Sequence, residues 1–229
     1  MKKKSSKRYR KILEKRKNRN KESIENAVKM VKENCTTKFN ESIDVSFKLN
    51  LKQKKEEVSL RTIVNLPNGN GKKVRIAVLC EESKVGEAKE SGADIFGSEN
   101  ILNDINSGKI NFDKMIATPA MMAKAGKLGK ILGPKGLMPN PKLGTVTNNV
   151  KSAVKALKQG QIEIKNDEDG NLSASIGRKN FDIKKIVDNF NAVLDIIIKE
   201  KPKGIKGNFI LSAFLTSTMG ISYKLKLNN

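Results

Sequence analysis

Between residues 43 and 51 apolar and polar side chains alternate without interruption, Ile43, Val45, Phe47, Leu49 and Leu51 against Asp44, Ser46, Lys48 and Asn50. A period of two buries one face of a strand and wets the other, so this run predicts a half-buried strand. A second alternating run covers residues 58–66. Two more, 161–166 and 171–176, flank the Asp169-Gly170 pair, which predicts a hairpin turn between them. From residue 183 the period lengthens. Ile183, Ile186, Val187, Phe190, Val193, Leu194, Ile197 and Ile198 recur every three or four residues. That spacing predicts an amphipathic helix, which Asp182 can cap and which stops near Lys201-Pro202. An earlier helix is predicted over residues 22–33, with Ile24, Ala27, Val28 and Val31 inward. Residues 208–216 and 221–227 read as two last strands around Ser217-Thr218-Met219-Gly220.

The middle of the chain follows another grammar. Residues 74–80 form a continuous apolar run of the buried parallel type, and helical and strand-like pieces alternate after it through residues 93–96 and 114–118. The expected fold is therefore mixed α/β and α+β in two domains. A discontinuous α+β outer domain with antiparallel strands, residues 1–68 and 159–229, receives an inserted Rossmann-like α/β domain with a parallel sheet, residues 69–158. The crossings fall at residues 66–73 (LPNGNGKK) and 158–160, where two glycine-bearing strands side by side would make a hinge. No run approaches the roughly 18 apolar residues a membrane helix needs, so no membrane partner is expected.

Charge narrows the field of partners. The 46 Lys+Arg and 24 Asp+Glu leave a net charge of +22, an excess that predicts a polyanion. Residues 1–21 hold twelve basic residues and one acid, Glu14. This basic N-terminal tail either neutralises phosphates or is a disordered arm that keeps the protein in solution. It has neither the apolar stretch of a secretory signal nor the Arg/Ser composition of a transit peptide, so it is expected in the mature protein. A second concentration lies at residues 124–147, rich in glycine and proline, with Lys124, Lys127, Lys130, Lys135 and Lys142 and no acid. It suits a polyanion or is a rigid surface loop with solvated lysines.

Enzymatic readings meet an absence, because the chain has no histidine and so lacks the commonest general base and metal ligand. Gly129-Lys130 is followed by Ile131 and Gly71-Lys72 by Lys73, so neither is a P-loop. Val74 stands where Gly69-Asn70-Gly71 would need the third glycine of a dinucleotide fingerprint. Cys35 and Cys80 have no CxxC spacing and read as buried thiols of a reducing compartment. No catalytic set, metal or cofactor is expected. A phosphate-handling enzyme built on the inner domain, and a general RNA-binding chaperone acting through charge alone, remain as alternatives.

Several outer-domain residues are suited to RNA. Phe39 can stack on a base, a contact worth about 1–3 kcal/mol, or plug the end of the core, and position alone favours the core. Arg178, after Gly177 and just beyond the 171–176 strand, offers a planar guanidinium to a phosphate or a guanine edge, or is merely solvated. Ser217-Thr218-Met219-Gly220 lets main chain approach a sugar-phosphate surface, or is an ordinary turn.

Taken together, Lys7-Arg8-Tyr9-Arg10, Thr37-Lys38-Phe39-Asn40-Glu41-Ser42, the run GPKGLMPNPK at residues 133–142 and Ser217-Thr218-Met219-Gly220 closely resemble the bacterial ribosomal protein L-one family, in order and over nearly the whole chain. The resemblance implies a constituent of the large ribosomal subunit, in the cytoplasm and monomeric when free. Its outer domain would bind the large-subunit rRNA of the mobile side stalk. The protein would also help deacylated tRNA leave the exit site, and would repress translation of its own mRNA by binding it. The RNA-facing positions carried over by motif are Lys38, Phe39, Ser42, Gly177, Arg178, Ser212, Thr218, Met219 and Gly220; the family often has Lys where Arg178 stands.

Overall fold

The computed structural model describes residues 6–15, 21–51, 60–202, 205 and 207–227. Along the chain these form α1 (Lys7–Lys15), α2 (Ile24–Glu33), β1 (Ser42–Leu49), β2 (Arg61–Asn65), β3 (Ile76–Leu79), α3 (Val85–Glu90), β4 (Ile95–Gly97), α4 (Glu99–Asn106) and β5 (Lys114–Ala117). There follow α5 (Met122–Lys127), α6 (Gly129–Leu132), α7 (Val150–Lys158), β6 (Gln161–Lys165), β7 (Asn171–Arg178), α8 (Ile183–Lys199), β8 (Ile210–Ser217) and β9 (Tyr223–Lys224). The chain divides into two units, Met1–Gly71 with Ile162–Asn229, and Lys72–Gln161.

The first unit is organised by the alternation of β1. Its sheet runs β7-β1-β8-β9 with antiparallel neighbours, and Ile43, Val45, Phe47 and Leu49 are buried on one face. α2 and α8 cover that face with Ala27, Val28 and Val31 from one and Ile186, Phe190, Val193 and Ile197 from the other. Phe47 and Phe190 stack with ring centroids 5.9 Å apart. Fully buried Asn189 is satisfied by the backbone: its Nδ2 donates to the carbonyls of Ile176 (2.7 Å) and Gly69 (2.8 Å), and its Oδ1 accepts from the Asn68 N–H (3.1 Å). A polar group at the centre of α8 thus pins the end of the first crossing segment to the sheet.

Three expectations are revised here. The turn at residues 167–170 forms, with Gly170 at φ +76° and its N–H donated to the Asp167 carbonyl. Yet its two strands do not pair as a hairpin. β6 joins β2 in a separate two-stranded sheet, β7 pairs with β1, and only a single bridge, Asn166 to Leu172, links them. Leu172, Ala174 and Ile176 extend the buried face of β1, whereas the end of β6 is held beside the start of β2, where the Asn166 N–H donates to the Leu60 carbonyl (3.1 Å) and Asn166 Oδ1 accepts from the Leu60 N–H (2.6 Å). Asp182 stands at the N-cap of α8 but makes no capping hydrogen bond, its carboxylate lying 3.7 Å from Lys185 Nζ instead. The basic N-terminus is not merely a tail, since residues 7–15 are helical; residues 1–5 and 16–20, and the start of the 58–66 run, lie outside the described residues.

The second unit is a parallel sheet in the order β4-β3-β5. All of β3 is buried, and its alternate residues serve two clusters. Ala77 and Leu79 pack with Ile101, Ile105 and Leu132, whereas Ile76 and Val78 pack with Ala88, Val150 and Val154. Helices on both faces are what a continuous apolar strand requires. Within residues 124–147 the apolar side chains Leu132 and Leu143 are buried, the Leu137 N–H donates to the Leu132 carbonyl (3.0 Å), and all five lysines are exposed, Lys124 with its Nζ donating to Glu99 Oε1 (3.2 Å). Cys35 and Cys80 are free, buried thiols, and burial pushes both above the ordinary cysteine value. Among the described residues no helix is long and apolar enough to cross a membrane.

Candidate nucleic-acid interface

Register brings three strand ends to one edge of the first unit. Ser42, opening β1, pairs with Arg178, closing β7, while the next residue, Ile43, pairs with Ser217, closing β8. The chain leaving β8 is clipped to β1 at Thr218: Ser42 N–H donates to Thr218 Oγ1 (3.0 Å), Thr218 N–H donates to the Ser42 carbonyl (3.1 Å), and the Thr218 hydroxyl donates more weakly to that carbonyl (3.5 Å). Gly220 closes the turn by donating its N–H to the Ser217 carbonyl. A Cβ there would lie 2.4 Å from Ser217 Oγ, so only glycine fits without moving that hydroxyl. Gly177 is similarly confined, with the Phe181 ring 3.2 Å and Ile186 3.4 Å from where its Cβ would stand.

Beneath this edge lies Glu41, fully buried. Its Oε1 accepts from the N–H (3.3 Å) and hydroxyl (2.8 Å) of Thr37, and its Oε2 accepts from the Met219 N–H (3.1 Å). The Phe39 carbonyl lies 3.2 Å from the same Thr37 hydroxyl, whose one proton points between it and the nearer Glu41 Oε1. Desolvation pulls the Glu41 carboxyl upward, but the hydrogen bonds from Thr37, Ser217 and Met219 outweigh it and hold the group below its ordinary value. One buried carboxylate therefore fastens the 36–40 loop to the 218–220 turn.

With the loop held this way, Phe39 faces out, 52% exposed, as does Met219 at 47%. The expectation that Phe39 packs in the core fails because Glu41, not the phenyl ring, anchors the loop. Lys38 is exposed beside it. Arg178 lies within the last position of β7 rather than beyond it; its Nη1 donates to the Asn40 carbonyl (3.3 Å), and its buried Nε has no partner among the described residues. Asn40 and Asn180 join the loop to the chain after β7, Nδ2 to Oδ1 at 3.0 Å.

Eight of the nine motif positions thus gather at one edge, and Ser212 does not. It pairs with Lys48, six residues along β1 from Ser42, or roughly 20 Å at about 3.3 Å per residue. What it shares is the open face of the sheet, with Asp44, Ser46, Lys48, Phe214 and Thr216 on the same side, none of them buried. Ser46 and Ser173 hydroxyls lie 3.1 Å apart on that face. Two participants escaped the sequence reading. Glu41 occupies the inward parity of the 43–51 alternation, one step upstream, and that was its signal. Arg8 of α1 stands in Lys7-Arg8-Tyr9-Arg10, one of the segments that carry the resemblance, but a dense basic run hides the Tyr9, Ile12 spacing that would have marked its helix.

The ribosomal protein L1p/L10e family matches residues 31–221 of the chain. The chain is 55% identical over 223 residues to the large ribosomal subunit protein uL1 of Pelagibacter ubique (strain HTCC1062), covering 97% of each. It is 45% identical over 207 residues to the protein of the same name from Rickettsia akari (strain Hartford), covering 90% of this chain and 87% of that one. It is 44% identical over 207 residues to that of Rickettsia conorii (strain ATCC VR-613 / Malish 7).

Proposed function

Since the chain belongs to the ribosomal protein L1p/L10e family, and so to the proteins of the large ribosomal subunit in the cytoplasm rather than to a family of enzymes, we propose that its first unit binds the side-stalk rRNA through the edge built by Ser42, Arg178 and the 218–220 turn. The observation that carries the reading is the meeting there of unlike groups. Two exposed apolar side chains, Phe39 and Met219, stand beside exposed Lys38 and half-buried Arg178, whose guanidinium is oriented by the Asn40 carbonyl. Water is a poor partner for such a set and folded RNA a good one, since it presents base faces, sugar hydroxyls and phosphates at close spacing.

The mechanism is binding without bond-making. Lys38 and Arg178 displace condensed counterions, and Phe39 offers a face to an unstacked base. Gly177 and Gly220 let the main chain pack closely against Phe181 and Ser217, which fixes the shape of the edge. Ser212, distant along the open face, touches a separate part of the RNA. From the same family reading we infer that the protein helps deacylated tRNA leave the exit site, and that its own mRNA competes for this edge and is repressed by it.

The test is a titration of the full-length protein against a side-stalk rRNA fragment and a scrambled RNA of equal length, at two salt concentrations. Preference for the stalk fragment that persists at the higher salt is the expected result. Equal affinity for both RNAs would instead describe a charge-driven chaperone. Adding an RNA copy of its own messenger leader should displace the stalk fragment.

A further inference from the structure

The basic N-terminus admits two readings by composition, and α1 gives it a fixed place. Ile12 is buried, Tyr9 packs against the core of the first unit, and Arg8 reaches the candidate edge directly. Its Nη1 donates to Thr36 Oγ1 (3.2 Å) and its Nη2 to the Met219 carbonyl (2.7 Å). Those acceptors belong to the two segments that Glu41 fastens from beneath, so one guanidinium ties the same loop and turn from above. The other side of α1 carries Lys7, Arg10 and Lys11, all exposed and spaced three and four residues apart, which places them in one stripe. Glu14, a turn further on, is the single acid of the helix.

We propose that α1 is an extension of the RNA interface, in which Arg8 is a positioning residue and Lys7, Arg10 and Lys11 lie along the sugar-phosphate backbone of the RNA held by the 218–220 turn. The inference rests on the function proposed above. Two features of α1 select this occupant. The stripe is cationic, and Arg8 makes it continuous with the candidate edge through the carbonyl of Met219, itself one of the exposed residues there. Cations on a loose arm would strengthen binding to any polyanion. Cations on a helix docked at one turn add contacts only where the RNA backbone passes that turn, and so add selectivity as well as affinity.

The experiment uses the full chain, the side-stalk rRNA fragment and a scrambled RNA of equal length, with affinities measured over a range of KCl concentrations. Lys7→Gln, Arg10→Gln and Lys11→Gln combined should lower the slope of log K against log salt by about 2–3, and weaken binding to the stalk fragment by roughly ten- to several-hundred-fold at 0.1 M salt. Binding to scrambled RNA should change less. Arg8→Ala removes one charge, yet it should lower the slope by more than the value of about 0.9 that one contact carries, because the whole stripe loses its register; Arg8→Lys should fall in between. The exposed triple variant leaves the packing of Ile12 and Tyr9 intact, so it tests the stripe even if Arg8→Ala unfolds α1. An unchanged slope in the triple variant, or equal losses on both RNAs, would overturn the inference. Failure of the unaltered protein to prefer the stalk fragment would overturn the proposed function instead.

Discussion

A carboxylate removed from water is stable only when the protein replaces the lost hydration, and Glu41 shows which groups do so. Thr37, Ser217 and Met219 hold it, and each belongs to a segment that the candidate edge needs in place. Glu41→Gln keeps the shape but turns one acceptor into a donor facing N–H and O–H groups, so it should cost about 1–3 kcal/mol of stability at pH 7. Because the folded-state pKa lies below the ordinary 4.5, the native carboxylate contributes fully above that value and loses its contribution as pH falls through the folded one. The gap in melting temperature between native protein and Glu41→Gln should therefore narrow on acidification. A gap that stays constant down to pH 3 would show that packing, not charge, explains the loss. Phe39 is the opposite case. At 52% exposure, Phe39→Ala should leave stability within about 0.5 kcal/mol while costing about 1–3 kcal/mol of RNA affinity. Calorimetric melting and a binding titration on one variant separate the two quantities.

At the scale of elements, the periodicity that identified β1 and α8 worked because each has one buried face and one wet one. The Asp169-Gly170 turn signal misjudged the neighbours of β6 and β7. Alternation fixes which side of a strand is buried but not which strand lies beside it, and a tight turn at Gly170 is compatible with the chain stepping from one sheet to another. The 221–227 run contracts to the two residues of β9 because Tyr223 and Lys224 are the part that finds a partner on β8. For the interface, motif resemblance located most of the edge, while geometry was needed to separate Ser212 from it and to add Glu41 and Arg8. The clip between β1 and β8 yields a prediction at this scale. Thr218→Val removes the acceptor of the Ser42 N–H but leaves the backbone bond from residue 218 to the Ser42 carbonyl. Circular dichroism should stay native while stalk-RNA affinity falls at least several-fold; full affinity would mean that the clip does not shape the surface the RNA meets.

For the whole molecule the question is whether a net charge of +22 binds RNA wherever it lies, or only where the fold has built a surface. Diffuse charge and local contacts differ in how affinity depends on salt, because the slope counts the phosphates neutralised at the interface rather than the cations in the chain. The second unit supplies the control. Lys127, Lys130, Lys135 and Lys142 stand exposed on a segment without acids, with Leu132 and Leu143 buried as its anchors. Changing all four lysines to glutamine removes four positive charges without disturbing a buried side chain. If binding follows net charge, the salt slope for the stalk fragment should drop by about 3–4. If it follows the edge of the first unit, slope and affinity should both stay within about twofold, whereas Arg178→Gln alone should lower the slope by about 1. We expect the second pattern: a guanidinium held by Asn40 beside a rigid turn is oriented before RNA arrives, whereas a solvated lysine must give up rotamer freedom for every phosphate it meets.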